Sequence, residues 1–96
     1  MIVVRDVFQA KYGRGNELVA LLKETFPELG QDHTYRILTD ASGPFFTVVT
    51  ELEVSSLAEW EQMTVKVFSL PEFGEWFERM LPQVESGRRE FYHLES

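Results

Sequence analysis

The chain contains no cysteine, which excludes a disulfide framework, a thiolate nucleophile and any cysteine-based metal site. That absence permits a reducing compartment, and a cytoplasmic location is the expectation. Basic residues are scarce as well: nine Lys and Arg stand against sixteen Asp and Glu, for a net charge of −7. Such a surface repels phosphate backbones and anionic lipid, so neither nucleic acid nor a membrane is an expected partner. No apolar run approaches the roughly 20 residues that a membrane span requires, and the opening segment, with Arg5 and Asp6 in it, reads as a strand rather than a leader. Histidine is limited to His33 and His93, without H-x-x-x-H or comparable ligand spacing, so no metal site is expected. G-x-G-x-x-G, P-loop and G-x-S-x-G patterns are missing too, and no cofactor is expected.

What the chain does have is apolar bulk. Hydrophobic residues make up 44% of it, with eight Phe, three Tyr and two Trp, which argues against disorder. Its 96 residues suit one domain spanning 1–96, whose buried fraction on folding is modest, so a subunit interface would add useful burial. The longest run of β-branched and aromatic residues is 45–53, FFTVVTELE, read as a central strand. Alternation puts Phe46, Val48, Thr50 and Leu52 on one face, and Phe45, Thr47, Val49, Glu51 and Glu53 on the other.

Residues 2–10, IVVRDVFQA, form a first strand with Ile2, Val4, Asp6, Phe8 and Ala10 on one face and Val3, Arg5, Val7 and Gln9 on the other. Tyr12-Gly13-Arg14-Gly15 is a turn and Asn16 the expected helix cap. Leu18, Leu21, Leu22, Phe26 and Leu29 make the apolar stripe of a helix that Pro27 should end or bend. A second strand is expected over 33–39 and a hairpin turn over 40–44. Ser56 and Glu59 fit a reciprocal capping box for a helix bearing Leu57, Trp60 and Val67. Ser69 and Glu72 fit another, with Pro71 in the first turn and Phe68 and Phe73 placed as a hydrophobic staple. Phe73, Trp76, Phe77, Met80 and Leu81 form the stripe of that last helix, Pro82 stops it, and Ser86-Gly87 turns the chain into a strand over 88–94.

This order, β-α-β-β-α(α)-β, is the ferredoxin-like arrangement, an α+β class with a four-stranded antiparallel sheet whose first and third strands are central. Helices then cover one face of the sheet. Apolar residues expected on the other face, Phe45, Val49 and Phe91 among them, with Arg5 reaching toward Glu51 or Glu53 of a second copy, predict a homodimer joined sheet to sheet.

Three segments carry a family resemblance: Gly13-Arg14-Gly15-Asn16-Glu17-Leu18 after the first strand; Glu51-Leu52-Glu53 with Ser56-Leu57-Ala58-Glu59-Trp60; and Ser86-Gly87-Arg88-Arg89-Glu90-Phe91-Tyr92. Over nearly its whole length the chain resembles the dimeric α+β barrel superfamily, and most of all its small NIPSNAP-like and antibiotic-biosynthesis-monooxygenase-like proteins. The resemblance implies a cavity between helices and sheet and allows cofactor-independent oxygenation of a hydrophobic or aromatic molecule. It does not carry over a catalytic set, because the one Asn is Asn16, assigned to a helix cap, and both His fall on expected strands.

The candidate pocket residues are Asp6, Tyr35, Trp60, Trp76, Tyr92 and His93. Trp60 and Trp76 lie on helical apolar stripes and could wall an aromatic pocket, or serve only as core. His93, next to Tyr92, could exchange protons near neutral pH, or sit at a surface or interface. Asp6 interrupts an apolar face and, if buried, needs a partner, for which Arg36, Arg88 and Arg89 are available. Two functions follow: a small module that binds or oxidises a hydrophobic small molecule without cofactor, or a non-catalytic dimeric module with a filled aromatic core. A cavity with convergent polar groups near both tryptophans distinguishes the first from the second.

Overall fold

The computed structural model describes residues 1–25 and 32–96. Within them run β1 (Ile2–Ala10), α1 (Gly15–Thr25), β2 (Tyr35–Thr39), β3 (Thr47–Val54), α2 (Leu57–Phe68), α3 (Pro71–Met80), a short 3-10 turn (Leu81–Gln83) and β4 (Val84–His93). The strands form one antiparallel sheet in the order β2-β3-β1-β4, so the two most apolar strands are the central ones and the fold is ferredoxin-like α+β. The stripe residues Phe26 and Leu29, and the expected end or bend of α1 at Pro27, lie outside the described residues.

Several local expectations are corrected. β3 starts at Thr47 rather than Phe45, because Phe46 has φ of +60°, a left-handed conformation that a strand cannot hold. Its ring is fixed edge-on against Tyr12, with centroids 4.8 Å apart, and its carbonyl accepts from the Ala10 amide at 3.0 Å. Asn16 lies inside the first turn of α1, which starts at Gly15, instead of capping it. The strand expected over 33–39 begins only at Tyr35. Ser86 and Gly87 lie within β4, paired with Gln9 and Phe8, and the irregularity comes earlier as a register shift between Gln9 and Ala10.

The first capping box forms in part: the Ser56 hydroxyl accepts from the Glu59 amide at 3.1 Å, while the Glu59 carboxylate accepts at 2.9 Å from the amide of Ser55, one residue before the cap. The second does not. Ser69 ends α2, its hydroxyl donating to the Lys66 carbonyl at 2.7 Å, and Leu70 stands before Pro71 without a side-chain cap. Phe68 and Phe73 still meet across the break, with centroids 4.8 Å apart.

The helix-facing side of the sheet is built in rows set by register. Ile2 and Val4 with Leu52 and Val54 form one buried cluster, flanked by Tyr35, Trp60 and Met63. Ala10 and Val48 with Leu18 and Leu22 of α1 form a second, flanked by Phe8, Ile37, Trp76 and Met80. Between the two lies the row of Asp6 and Thr50, where the apolar alternation of β1 and β3 is broken.

The opposite face carries a ladder of alternating charge. Arg36, Glu51, Arg5 and Glu90 are successive neighbours across all four strands. Glu51 receives Arg36 and, at 3.0 Å, Arg5, and the Arg5 Nε lies 3.5 Å from Glu90. Within the single chain Arg5 thus pairs with Glu51.

Candidate functional site

Above the Asp6 and Thr50 row, between the two core clusters, the helices and sheet bound a partly open cavity of about 230 Å³. The row explains why a cavity forms there. A carboxylate and a hydroxyl at the centre of the sheet cannot be packed over with aliphatic groups without being left unsatisfied, so the cores close on either side of them. The sheet supplies Val4, Asp6, Tyr35, Thr50, Leu52 and Arg89; the helices supply Trp60, Met63, Phe73, Trp76 and Phe77 among others.

Asp6 and Arg89 are the charged pair in this otherwise mostly apolar lining. They face each other across β1 and β4, and the Arg89 Nε and Nη2 donate to the two Asp6 carboxylate oxygens at 2.7 and 3.1 Å. This is a two-pronged, charge-assisted contact. The Asp6 side chain is 18% exposed and that of Arg89 46%, so the carboxylate is the deep member and the guanidinium the one able to reach water. The guanidinium carbon also sits 4.8 Å from the centre of the Trp60 ring, a cation–π contact that joins β4 to α2. Strand parity explains why Arg89 is the partner: Arg36 and Arg88 are register mates of Glu51 and Val7, on the opposite face.

Tyr35 and Thr50 complete the polar set. Burial pushes the Tyr35 hydroxyl up to about 12, and the negative charge of Asp6 adds to the shift, so at neutral pH the hydroxyl keeps its proton. Among the described residues neither the Tyr35 nor the Thr50 side chain makes a hydrogen bond. Thr64 is spoken for, its hydroxyl donating to the Trp60 carbonyl at 2.9 Å, and the Trp76 indole N–H is aimed at the Leu21 carbonyl at 3.4 Å.

Of the residues singled out in the sequence, Asp6, Tyr35, Trp60 and Trp76 line the cavity. Tyr92 and His93 do not: Tyr92 is paired with Val3 on the opposite face and is half exposed, and His93 is exposed at the end of β4. Phe91, expected on that opposite face, is the register mate of Val4 and meets Trp60 edge-on at 6.1 Å between centroids. The strand extends through Ser86 and Gly87 without a turn, and its pairing with β1 fixes this parity. Val49, Arg5 and Glu51 do lie on the open face, whereas Phe45 is in the loop before β3, 6.5 Å from Tyr12. Thr50, Phe73 and Phe77 were missed as site residues; the signals available were a hydroxyl within an apolar strand face for the first, and for the other two the helical stripe they share with Trp76.

His33 forms a separate pair, its Nε2 lying 3.3 Å from the Glu59 carboxylate. The Ser55 amide, and to a smaller extent His33, hold that carboxyl below its ordinary range. Among the described residues no cluster of His, Cys, Asp or Glu could hold a metal, and no helix is long and apolar enough to cross a membrane.

No family model matches the chain, and no curated protein matches it. Solved structures do. An uncharacterised NIPSNAP domain protein from Burkholderia xenovorans superposes with a TM-score of 0.86 at 17% identity, covering 98% of this chain and 94% of that one. A NIPSNAP family protein from Agrobacterium tumefaciens gives 0.82 at 18% identity, covering 96% and 90%. An antibiotic biosynthesis monooxygenase-like protein from Nitrosomonas europaea gives 0.78 at 11% identity over 100% of both chains. At these identities the likeness is one of fold, and the chain has the ferredoxin-like α+β fold of the NIPSNAP and antibiotic biosynthesis monooxygenase-like proteins.

Proposed function

We propose that this chain, as a single domain, binds a hydrophobic or aromatic small molecule in the cavity between helices and sheet, without a cofactor. One observation carries the reading: a cavity of about 230 Å³ that holds a half-buried, ion-paired carboxylate and, between two tryptophans, a tyrosine hydroxyl without a hydrogen bond among the described residues. Structural cores are filled close to crystal density. An aromatic-walled space around a few oriented polar groups is the ordinary form of a small-molecule site. It favours the binding module over one whose aromatics only fill a core. On a bound molecule the Asp6 carboxylate can accept a hydrogen bond and the Tyr35 hydroxyl can donate one, contacts that would orient it for a cofactor-independent oxygenation or an isomerisation. The monooxygenase-like neighbour is in keeping with the first of these.

The same reading includes a homodimer formed through the open sheet face. Leu38, Tyr92 and Leu94 are 42, 51 and 44% exposed, while Val7 and Val49 at its centre are already 8% exposed in the single chain. The charge ladder supports self-pairing. An alternating row of four, turned about a two-fold axis parallel to the strands, sets Arg36 opposite Glu90 and Arg5 opposite Glu51 of the second copy. Turned about an axis along the row, it would set like charges together.

Tryptophan fluorescence tests the cavity, because both tryptophans line it. Titration with a neutral aromatic such as naphthylmethanol should quench or shift the emission saturably, and Trp60→Phe should remove most of the change. A response that is linear and unsaturated, or that Trp60→Phe leaves unchanged, speaks for non-specific contact.

A further inference from the structure

We infer that the ligand of this cavity is a hydrophobic cation, a protonated amine or guanidine on an apolar body, and that Arg89 occupies the place its head group would take. The inference rests on the cavity being a ligand site and adds the chemical class of the ligand.

The Arg89 guanidinium makes two contacts inside the cavity: a paired hydrogen bond to Asp6 and a cation–π contact over Trp60. A carboxylate beside an electron-rich ring face is the arrangement by which proteins recognise ammonium groups. Further rings stand around it, since Phe73, Trp76 and Phe77 also line the space and Phe73 lies 5.9 Å from Trp76 and 6.0 Å from Phe77.

The two partners of the ion pair are unequally anchored. Asp6 is on a central strand and largely buried, so it cannot follow a departing partner into water. Arg89 is on the edge strand β4, nearly half exposed, with a long flexible stem. A ligand cation that took Asp6 and the Trp60 face would release Arg89 to solvent. The hydrogen bonds that Asp6 gives up and those it takes on are then of the same kind, and burial of the ligand's apolar body supplies the net drive. An anionic ligand meets the opposite situation, because it would set a second carboxylate beside Asp6, in a protein of net charge −7 whose field draws cations in and repels anions.

The test compares naphthylmethylamine, naphthylmethanol and naphthoate on the intact protein by isothermal titration calorimetry at neutral pH. The amine should bind at least about tenfold tighter than the alcohol, a difference of about 1.4 kcal/mol, and the acid weakest. Asp6→Asn should erase the preference for amine over alcohol while retaining alcohol binding. Arg89→Met should tighten the amine severalfold, because it removes the internal competitor, and every reading in which Arg89 holds the ligand predicts weakening instead. Amine-induced shifts in thermal midpoint of each variant report binding only where that variant is folded, and the wild-type ranking stands without either variant. Equal binding of amine and alcohol, tightest binding by the acid, or weakening of the amine by Arg89→Met overturns the inference and leaves the cavity site standing. Binding of none of the three overturns both.

Discussion

Replacing Arg89 with Met should destabilise the protein far more than replacing Asp6 with Leu, and the double replacement should cost little more than the Asp6 change alone. Unit charges about 4 Å apart attract by about 4 kcal/mol at an effective dielectric near 20. With an Arg89 side chain 46% exposed, screening and the desolvation of Asp6 reduce the usable part to a fraction of that. Losing Arg89 strands a carboxylate that is 18% exposed and cannot turn to water, at a cost of about 2–3 kcal/mol. Losing Asp6 frees a guanidinium that reaches solvent by rotating, at a cost of about 1 kcal/mol or less. For a chain of this size each kcal/mol moves the thermal midpoint by about 4–8 °C, so Arg89→Met should lower it by roughly 8–24 °C. Denaturant unfolding of the four proteins gives the coupling directly. Additive single costs, or a larger loss from Asp6→Leu than from Arg89→Met, would refute the claim that the carboxylate is the deep member of the pair.

Tyr35 has its folded pKa raised to about 12 from 10, so its contribution to stability is complete below pH 10 and is lost as the pH rises from 10 to 12; unfolding curves across that range should slope downward, and Tyr35→Phe should flatten them. Ser56→Ala removes the bond to the Glu59 amide and should cost about 1 kcal/mol by denaturant unfolding. Gly13 has φ of +82°, so Gly13→Ala should cost about 1 kcal/mol, whereas Gly87→Ala, where a Cβ would stand 3.4 Å from the Phe8 ring, should be tolerated in thermal melts. Glu51→Arg, which turns the ladder into adjacent like charges, should lower the mass observed by light scattering from that of two chains toward that of one.

How far the site was legible in the sequence depends on which physical rule each residue obeys. Asp6 announced itself because a carboxylate in an otherwise apolar alternation needs a partner, and the helical stripes brought out Trp60 and Trp76 in the same way. The order of elements gave the sheet topology, since the first and third strands were the most apolar. Arg89 stayed one of three choices because its face depends on the parity of β4, and reading Ser86-Gly87 as a turn left that parity open. Phe91 went to the wrong face for the same reason. Tyr92 and His93 were chosen for their chemistry alone, and strand register puts them away from the cavity. The extent of the cavity was not readable at all, because it depends on how closely α2 and α3 approach the sheet, a property of packing between distant segments. The second capping box failed because Ser69 satisfies the end of α2 instead, a competition between two helices for one hydroxyl.

Whether the space between the two core clusters, above Asp6 and Thr50, takes a small molecule can be read by nuclear magnetic resonance on the folded protein during titration with naphthylmethanol. Occupancy of the cavity should give saturable shifts of the Trp60 and Trp76 indole N–H signals and of the Arg89 side chain, with Tyr92 on the far face unmoved. Shifts confined to Tyr92 and its neighbours, or no saturable shift at either indole, would mean that the cavity is not a binding site.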